Sequence, residues 1–235
     1  MSGSCSDTNG GEKMTLAHKV ARAKDLLEET ALEFGPENVV VAWTGGKDST
    51  VTLHLWSGVL AEMGFSGLRA LNIDTGCKFP EVMEFRDMLT AEWGLHLTVA
   101  RPAADLRDYP VARDKVACCA ALKVEPLSRS VREMGAEALL TGIRRDEHPE
   151  RGRAHSERRE RPDCLMVHPI LDFTEMDVWA YIMERGVPYC SLYTQGYRSL
   201  GCVPCTLPVA EGEERSGRNA EKEAHMGTLR ALGYF

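Results

Sequence analysis

Asn38-Val39-Val40-Val41-Ala42-Trp43-Thr44-Gly45-Gly46-Lys47-Asp48-Ser49-Thr50-Val51-Thr52-Leu53-His54 is the stretch on which the reading of this chain turns. Val39 to Val41 form a β-branched run too short for a helix, which predicts a buried strand. Thr44, Gly45 and Gly46 break it, and from Lys47 onward Val51, Leu53 and Leu55 set the apolar spacing of a helix. Strand, glycine turn and helix start together make an anion cradle. Glycines let backbone N–H groups approach phosphate oxygens, and the first helical turn adds the positive end of its dipole. The pattern is not G-x-x-x-x-G-K-[ST], because Lys47 is followed by Asp48 and the first glycine lies too close. Thr44, Gly45, Gly46, Lys47, Asp48, Ser49 and Thr50 are therefore candidate nucleotide contacts. Lys47 is placed to neutralise phosphate, and Asp48 to cap the helix or to help hold Mg²⁺. The competing reading is a strand–helix corner whose glycine pair serves packing.

Working outward, Thr15 caps a predicted helix from Leu16 to about Phe34, which Gly35-Pro36 stops. The helix after the loop runs to about Met63. Strands are expected at Leu68 to Ile73, closing on Asp74-Thr75-Gly76, at Leu95 to Ala100, and at Ala138 to Thr141, ending in Gly142. Helices are expected over Glu81 to Trp93, with Pro80 in the first turn, and over about Lys115 to Met134. Arg144 to Asp163 is charge-dense and reads as a solvated loop. Thr174-x-x-Asp177 opens a further helix that Gly186 ends. The alternation predicts an α/β fold, a doubly wound parallel sheet with helices on both faces and a C-terminal extension. The division is a lead-in over 1–13, a nucleotide-binding domain over 14–208 and a charged tail over 209–235. Ligands of such sheets sit outside the carboxyl ends of the strands. That rule groups the Thr44 loop with Asp74, Thr75 and the turn at Gly142. Arg144, Arg145 and Arg151 are candidate catalytic residues with Lys47, since guanidinium forks match sulfate and phosphate oxygens. Asp74 suits a nucleoside contact and a turn equally.

The 235 residues carry a formal net charge of −7, which argues against a polynucleotide or acidic-membrane partner. No apolar run approaches the length of a membrane span. Met1 to Lys13 is Ser/Gly-rich without an apolar stretch, so a cytoplasmic location is expected. Eight cysteines then call for an intracellular role. Cys118-Cys119 and Cys202-x-x-Cys205 have ligand-like spacing. Iron–sulfur and zinc are both open, although adjacent ligands are unusual for zinc. Cys5, Cys77, Cys164 and Cys190 follow no partner pattern.

The loop resembles the pyrophosphate loop (PP-loop) of the adenine-nucleotide α-hydrolase superfamily, commonly S-G-G-x-D-S, with Thr44 for the first serine. The chain as a whole resembles the phosphoadenylyl-sulfate (PAPS) and adenylyl-sulfate (APS) reductase family and its relative, the small subunit of bacterial sulfate adenylyltransferase. Asp74-Thr75-Gly76-x-Lys78-Phe79-Pro80-Glu81, Gly142-Ile143-Arg144-Arg145-Asp146-Glu147 and the terminal Gly233-Tyr234-Phe235 are similar to the adenylyltransferase. Cys118-Cys119, Lys123-Val124-Glu125-Pro126-Leu127 and Gly196-Tyr197-x-Ser199-Leu200-Gly201-Cys202-x-Pro204-Cys205-Thr206 are similar to the APS reductase. The resemblance implies ATP or adenylyl sulfate as nucleotide, with Mg²⁺ as a further candidate. It also implies a 4Fe–4S cluster on Cys118, Cys119, Cys202 and Cys205. The reductases attack sulfur with a cysteine in a Lys-Glu-Cys-Gly-x-His segment; here Lys222-Glu223-Ala224-His225 puts Ala224 at that place. The expectation is therefore AMP transfer from ATP to sulfate or a similar oxyanion, with a GTPase large subunit as partner. The alternatives are a reductase whose nucleophile comes from elsewhere, such as Cys5, working with a thioredoxin-like reductant, or a non-catalytic nucleotide or redox sensor. A homo-oligomer is compatible with each.

Overall fold

A computed structural model describes residues 14–150, 154–209 and 211–234. The sheet is built from β1 (Val39–Ala42), β2 (Arg69–Ile73), β3 (His96–Ala100), β4 (Ala138–Leu140), β5 (Ser156–Glu160) and β6 (Asp163–Val167), in the spatial order β3-β2-β1-β4-β6-β5. All pairs are parallel except the antiparallel β5–β6 pair at one edge. Strand order reverses between β1 and β4, so a crevice opens there at the carboxyl ends.

Both faces of the sheet are covered, and β1 shows how. Val39 and Val41 enter a large apolar cluster with Leu27 of α1 (Leu16–Phe34), Trp56 of α2 (Lys47–Glu62), Leu89 of α3 (Pro80–Glu92) and Ile182 of α6 (Glu175–Arg185). Val40 and Ala42 enter a second cluster with Leu127 and Val131 of α5 (Glu125–Glu133). Alternate side chains of a strand point to opposite faces, so a strand buried on both needs an unbroken apolar run. Local signals act where expected. Thr15 accepts from His18 N, Thr174 and Asp177 form a reciprocal capping box, and Gly186 closes α6 in the left-handed region. His54 sits against Tyr181, its Nδ1 2.8 Å from the hydroxyl, as a packed residue of α2.

Three expectations change. The stretch read as a solvated loop contains β5 and runs to the first residue of β6. β5 is made of Ser156, Glu157, Arg158, Arg159 and Glu160, a sequence with no apolar signature. As an edge strand it has no need of one, and charges there discourage unwanted pairing. The helix expected over 115–134 is α4 (Lys115–Cys119), then a π-helical turn at Ala120–Val124, then α5. Beyond Pro208, where little core was expected, α7 (Ala220–Ala224) and α8 (Met226–Ala231) bury Met226 and Leu229 and pack against α4. Arg230 Nη2 lies 2.6 Å from Glu157, and Arg159 Nη1 donates to the Tyr234 carbonyl at 3.2 Å. No helix of the described residues is long and apolar enough to cross a membrane.

Candidate active site

The loop between β1 and α2 is held by its own hydroxyls. Gly45 has φ 81°, which favours glycine. Ser49 Oγ lies 3.1 Å from Thr44 Oγ1 and donates to the Gly46 carbonyl at 2.9 Å. Trp43 Nε1 donates to Thr50 Oγ1 at 3.0 Å, and that hydroxyl donates to Gly46 O at the same distance. Thr44 thus keeps the hydroxyl role of a serine. Gly142 abuts the start of α2 so closely that a Cβ would stand 2.5 Å from the Ser49 nitrogen. The Lys47 amide donates to the Tyr193 hydroxyl at 2.8 Å.

Asp48 makes no cap on α2; its carboxylate takes Arg144 Nε at 2.6 Å and Lys47 Nζ at 3.3 Å. Lys47 and Arg144 are 1% and 0% exposed. Lys47 also donates to the Arg198 carbonyl at 3.0 Å, and Arg144 pairs with Asp146 at 2.6 Å. Both cations bind the carboxylate of Glu214, which comes from the tail. Burial opposes the Lys47 charge, but Asp48, Tyr193 and Glu214 outweigh it and raise the ammonium pKa. Burial likewise opposes ionisation of Asp48, yet Lys47 and Arg144 hold its carboxyl below the usual range. For Glu214 the balance goes the other way. Burial pushes the carboxyl up, with Asp48 and Glu147 adding to it against the pull of Lys47 and Arg144.

Asp48, Glu147 and Glu214 converge within 4.8 Å. Lys47, Arg144 and Arg215 already interleave them, Arg215 reaching Glu147 at 3.3 Å and Glu223 at 2.8 Å. A divalent ion would meet those cations at contact distance, so the set does not fit Mg²⁺.

A cleft opens beside this network. Thr44, Gly46, Asp48, Ser49 and Gly142 line one end, with Thr75 deeper in. Ile73, Val124, Leu127 and Leu200 give it an apolar wall suited to a flat base. At the other end stand Lys78, Lys123, Arg218 and Tyr234. Among the described residues neither Lys78 nor Lys123 pairs with a carboxylate. Arg218 Nη1 donates to Leu200 O at 2.6 Å and Ser199 Oγ at 3.2 Å, passing over Gly201, where a Cβ would stand 2.3 Å from the guanidinium. Lys123, Arg215 and Arg218 are site residues that sequence reasoning missed. In a stretch dense with both charges, only Ser216-Gly217 between two arginines set Arg215 and Arg218 apart. Other expected residues stand elsewhere. Arg145 pairs with Asp172 at 3.1 Å in an exposed position. Asp74 takes the turn role, accepting from Gly76 N at 3.0 Å. Arg151 and Cys5 lie outside the described residues.

The two cysteine pairs converge past the cationic end. Cys118 feels the charge of Cys202, and Cys77 that of Cys202, Cys118 and Cys205. Thr75 Oγ1 lies 3.2 Å from Cys202 Sγ, and the Ala112 amide donates to Cys118 Sγ at 3.3 Å. Burial opposes the Cys202 thiolate, but Lys123, Lys78 and the Thr75 hydroxyl bring its pKa down to about 7. The two cysteine pairs, with N–H and O–H donors and lysines to offset thiolate charge, are a donor set of the kind an iron–sulfur cluster takes, although among the described residues only Asp48, Glu147 and Glu214 bring ligand atoms within 4.8 Å of one another. Cys77, which follows no sequence pattern, stands as a fifth thiol beside them. Ala224 is exposed at the end of α7 and does not line the cleft.

Residues 38–208 match the model of the phosphoadenosine phosphosulfate reductase domain. The phosphoadenosine 5′-phosphosulfate reductase of Gloeobacter violaceus is 32% identical over 226 residues, covering 89% of this chain and 90% of its own. The adenosine 5′-phosphosulfate reductase of Streptomyces coelicolor is 34% identical over 210 residues, covering 84% of each. The fold is similar to that of phosphoadenylyl-sulfate reductase from Candida auris, with a TM-score of 0.62 at 22% identity, covering 84% of this chain and 100% of that one. It is also similar to Candida glabrata FMN adenylyltransferase bound to FAD and pyrophosphate, with a TM-score of 0.68 at 20% identity, covering 86% and 71%. The names of the curated relatives favour the reductase alternative over the AMP transfer expected from Ala224.

Proposed function

The chain belongs to the phosphoadenosine phosphosulfate reductase family, and within it we propose that this protein binds an adenylyl sulfate and serves its reduction to sulfite with a thiol that residue 224 does not supply. The adenine and ribose lie along the apolar wall, and the phosphate–sulfate end points toward Lys78, Lys123 and Arg218. One observation carries this reading. Lys78 and Lys123, which among the described residues have no carboxylate partner, line the cleft beside Cys202, whereas Lys47 and Arg144 do not line it and are internally paired. An anion moves to where positive charge is uncompensated.

In the proposed reaction a thiolate attacks the sulfonate sulfur, the bond from sulfur to the bridging phosphate oxygen breaks, and AMP leaves with that electron pair. A second thiol then forms a disulfide with the first, and the sulfur leaves as sulfite. Lys123 and Arg218 offset the charge growing on the bridging oxygen, so catalysis at this site is positioning and electrostatics. Cys118, Cys119, Cys202 and Cys205 would hold a 4Fe–4S cluster, which supplies a polarisable centre beside the sulfonate. Ala224 has no lone pair to give, so the attacking thiol is Cys5 or belongs to a thioredoxin-like partner. The test is anaerobic incubation of APS and of PAPS with dithiol, following sulfite in wild type and Cys5→Ser. Loss of turnover in Cys5→Ser assigns the thiol to this chain; retained turnover assigns it to the partner. Absence of sulfite in both, with ATP–pyrophosphate exchange in the presence of sulfate, would return the function to adenylyl transfer.

A further inference from the structure

We propose that Glu214 sets the nucleotide selectivity of the cleft, its carboxylate occupying the cations that a β,γ-diphosphate would need and so turning ATP away in favour of a nucleotide with a single 5′-phosphate. The inference rests on the adenylyl-sulfate reading and adds what excludes the cell's abundant competitor.

Lys47 is the only lysine of the loop, and it stands at the start of α2, where a pyrophosphate would draw on both the dipole and the ammonium. Its Nζ is spent on Asp48, the Arg198 carbonyl and Glu214. Arg144, the second cation at that end, is spent on Asp48, Asp146 and Glu214. Glu214 is the one partner that both share from outside the sheet domain. It is brought in by the tail segment that also carries Arg215 and Arg218. The side chain is 9% exposed, so its carboxylate fills space and is not a passing surface contact. Of this network only Asp48, Glu147 and Arg215 line the cleft, and Lys47, Arg144 and Glu214 are paired behind its wall, so an entering diphosphate meets two carboxylates against one guanidinium. The Lys47 amide, the first N–H of the helix, is already taken by Tyr193. A diphosphate would have to draw Lys47 and Arg144 away from Glu214 or lie against Asp48 and Glu147, both unfavourable. A single 5′-phosphate bearing sulfate avoids the conflict by extending toward Lys78 and Lys123. One tail segment thus places an anion at the loop end and cations at the cysteine end.

The test is calorimetric titration of the full chain with AMP, adenylyl sulfate and ATP, each with and without Mg²⁺, for wild type, Glu214→Gln, Glu214→Asp and Glu213→Gln. Glu213 is the exposed neighbour. Wild type should bind AMP and adenylyl sulfate more tightly than ATP. Glu214→Gln should raise ATP affinity by roughly tenfold or more, the scale of one charge removed from a buried network, with AMP affinity little changed. Glu214→Asp should keep the exclusion and Glu213→Gln should match wild type, while melting curves establish that each variant is folded. An unchanged ATP-to-AMP ratio in folded Glu214→Gln overturns the inference and leaves the adenylyl-sulfate reading standing. Loss of ATP binding in that variant, or tight Mg²⁺–ATP binding by wild type, also overturns it, since Glu214 would then assist the triphosphate. Wild type that binds none of the three nucleotides removes both.

Discussion

Lys47, Asp48, Arg144 and Glu214 form a network in which the two cations are buried, the two carboxylates half-buried and each has a partner, so removing one member strands the others. Asp48→Asn is expected to cost about 3 kcal/mol at neutral pH, the usual penalty for breaking a buried pair. The effect has a definite pH dependence. The Asp48 carboxyl titrates below its ordinary 3.8 in the folded chain, so its contribution is complete above that value and lost as pH falls through the folded one. Denaturant unfolding of wild type and Asp48→Asn should show a gap that is constant near neutrality and closes in acid. A steric prediction belongs to Gly142. A methyl group there meets the Ser49 nitrogen at 2.5 Å, so Gly142→Ala should lower stability by about 1–3 kcal/mol and weaken nucleotide binding, as read by melting and titration. At the other end of the cleft, Lys123→Met should weaken adenylyl sulfate by roughly tenfold or more while leaving AMP, which lacks the sulfate, less affected. Equal losses for both ligands would place the sulfate elsewhere.

Among the elements, those whose signal is local were legible in the chain itself. β1 is a run of valines, α6 opens on its capping box, and α3 begins at Pro80. The loop could be placed at a carboxyl strand end before any contact was known, because glycine chemistry and strand order decide it. β5 was not legible. Its regularity is a two-residue alternation among charged residues, and its pairing with the tail through Glu157 and Arg230 depends on residues 73 positions apart. Nor was the π-helical turn after Cys118-Cys119, where the widened turn follows the two thiols directly. The cysteine arrangement gives an element-scale prediction. Anaerobically purified protein should contain about four irons per chain with a broad visible absorbance, and Cys118→Ser and Cys205→Ser should lose both. Cys77→Ser should keep the iron, since four thiols beside it already supply the ligand count. Zinc in place of iron would refute the cluster assignment while leaving the ligands correct.

In the whole molecule, the sheet positions one wall of the cleft and the tail completes it. Arg215, Arg218, Glu214 and Tyr234 all come from beyond residue 208; Tyr234 stood out only within the terminal resemblance motif, and the other three did not, because a mixed-charge stretch reads as solvated until its partners are known. Their partners lie outside the tail: Lys47 and Arg144 for Glu214, Leu200 for Arg218, Arg159 for Tyr234. Leu229→Asp, which puts a carboxylate where α8 is fully buried, should undock the tail. Proteolysis within 209–235 and a fall in adenylyl-sulfate affinity should then appear together. The most direct measurement is sulfite release from adenylyl sulfate by anaerobically prepared protein supplied with a thioredoxin-like dithiol. The account predicts dithiol-dependent sulfite with stoichiometric AMP. AMP transfer from ATP to sulfate, with no sulfite from adenylyl sulfate under any dithiol, would contradict it.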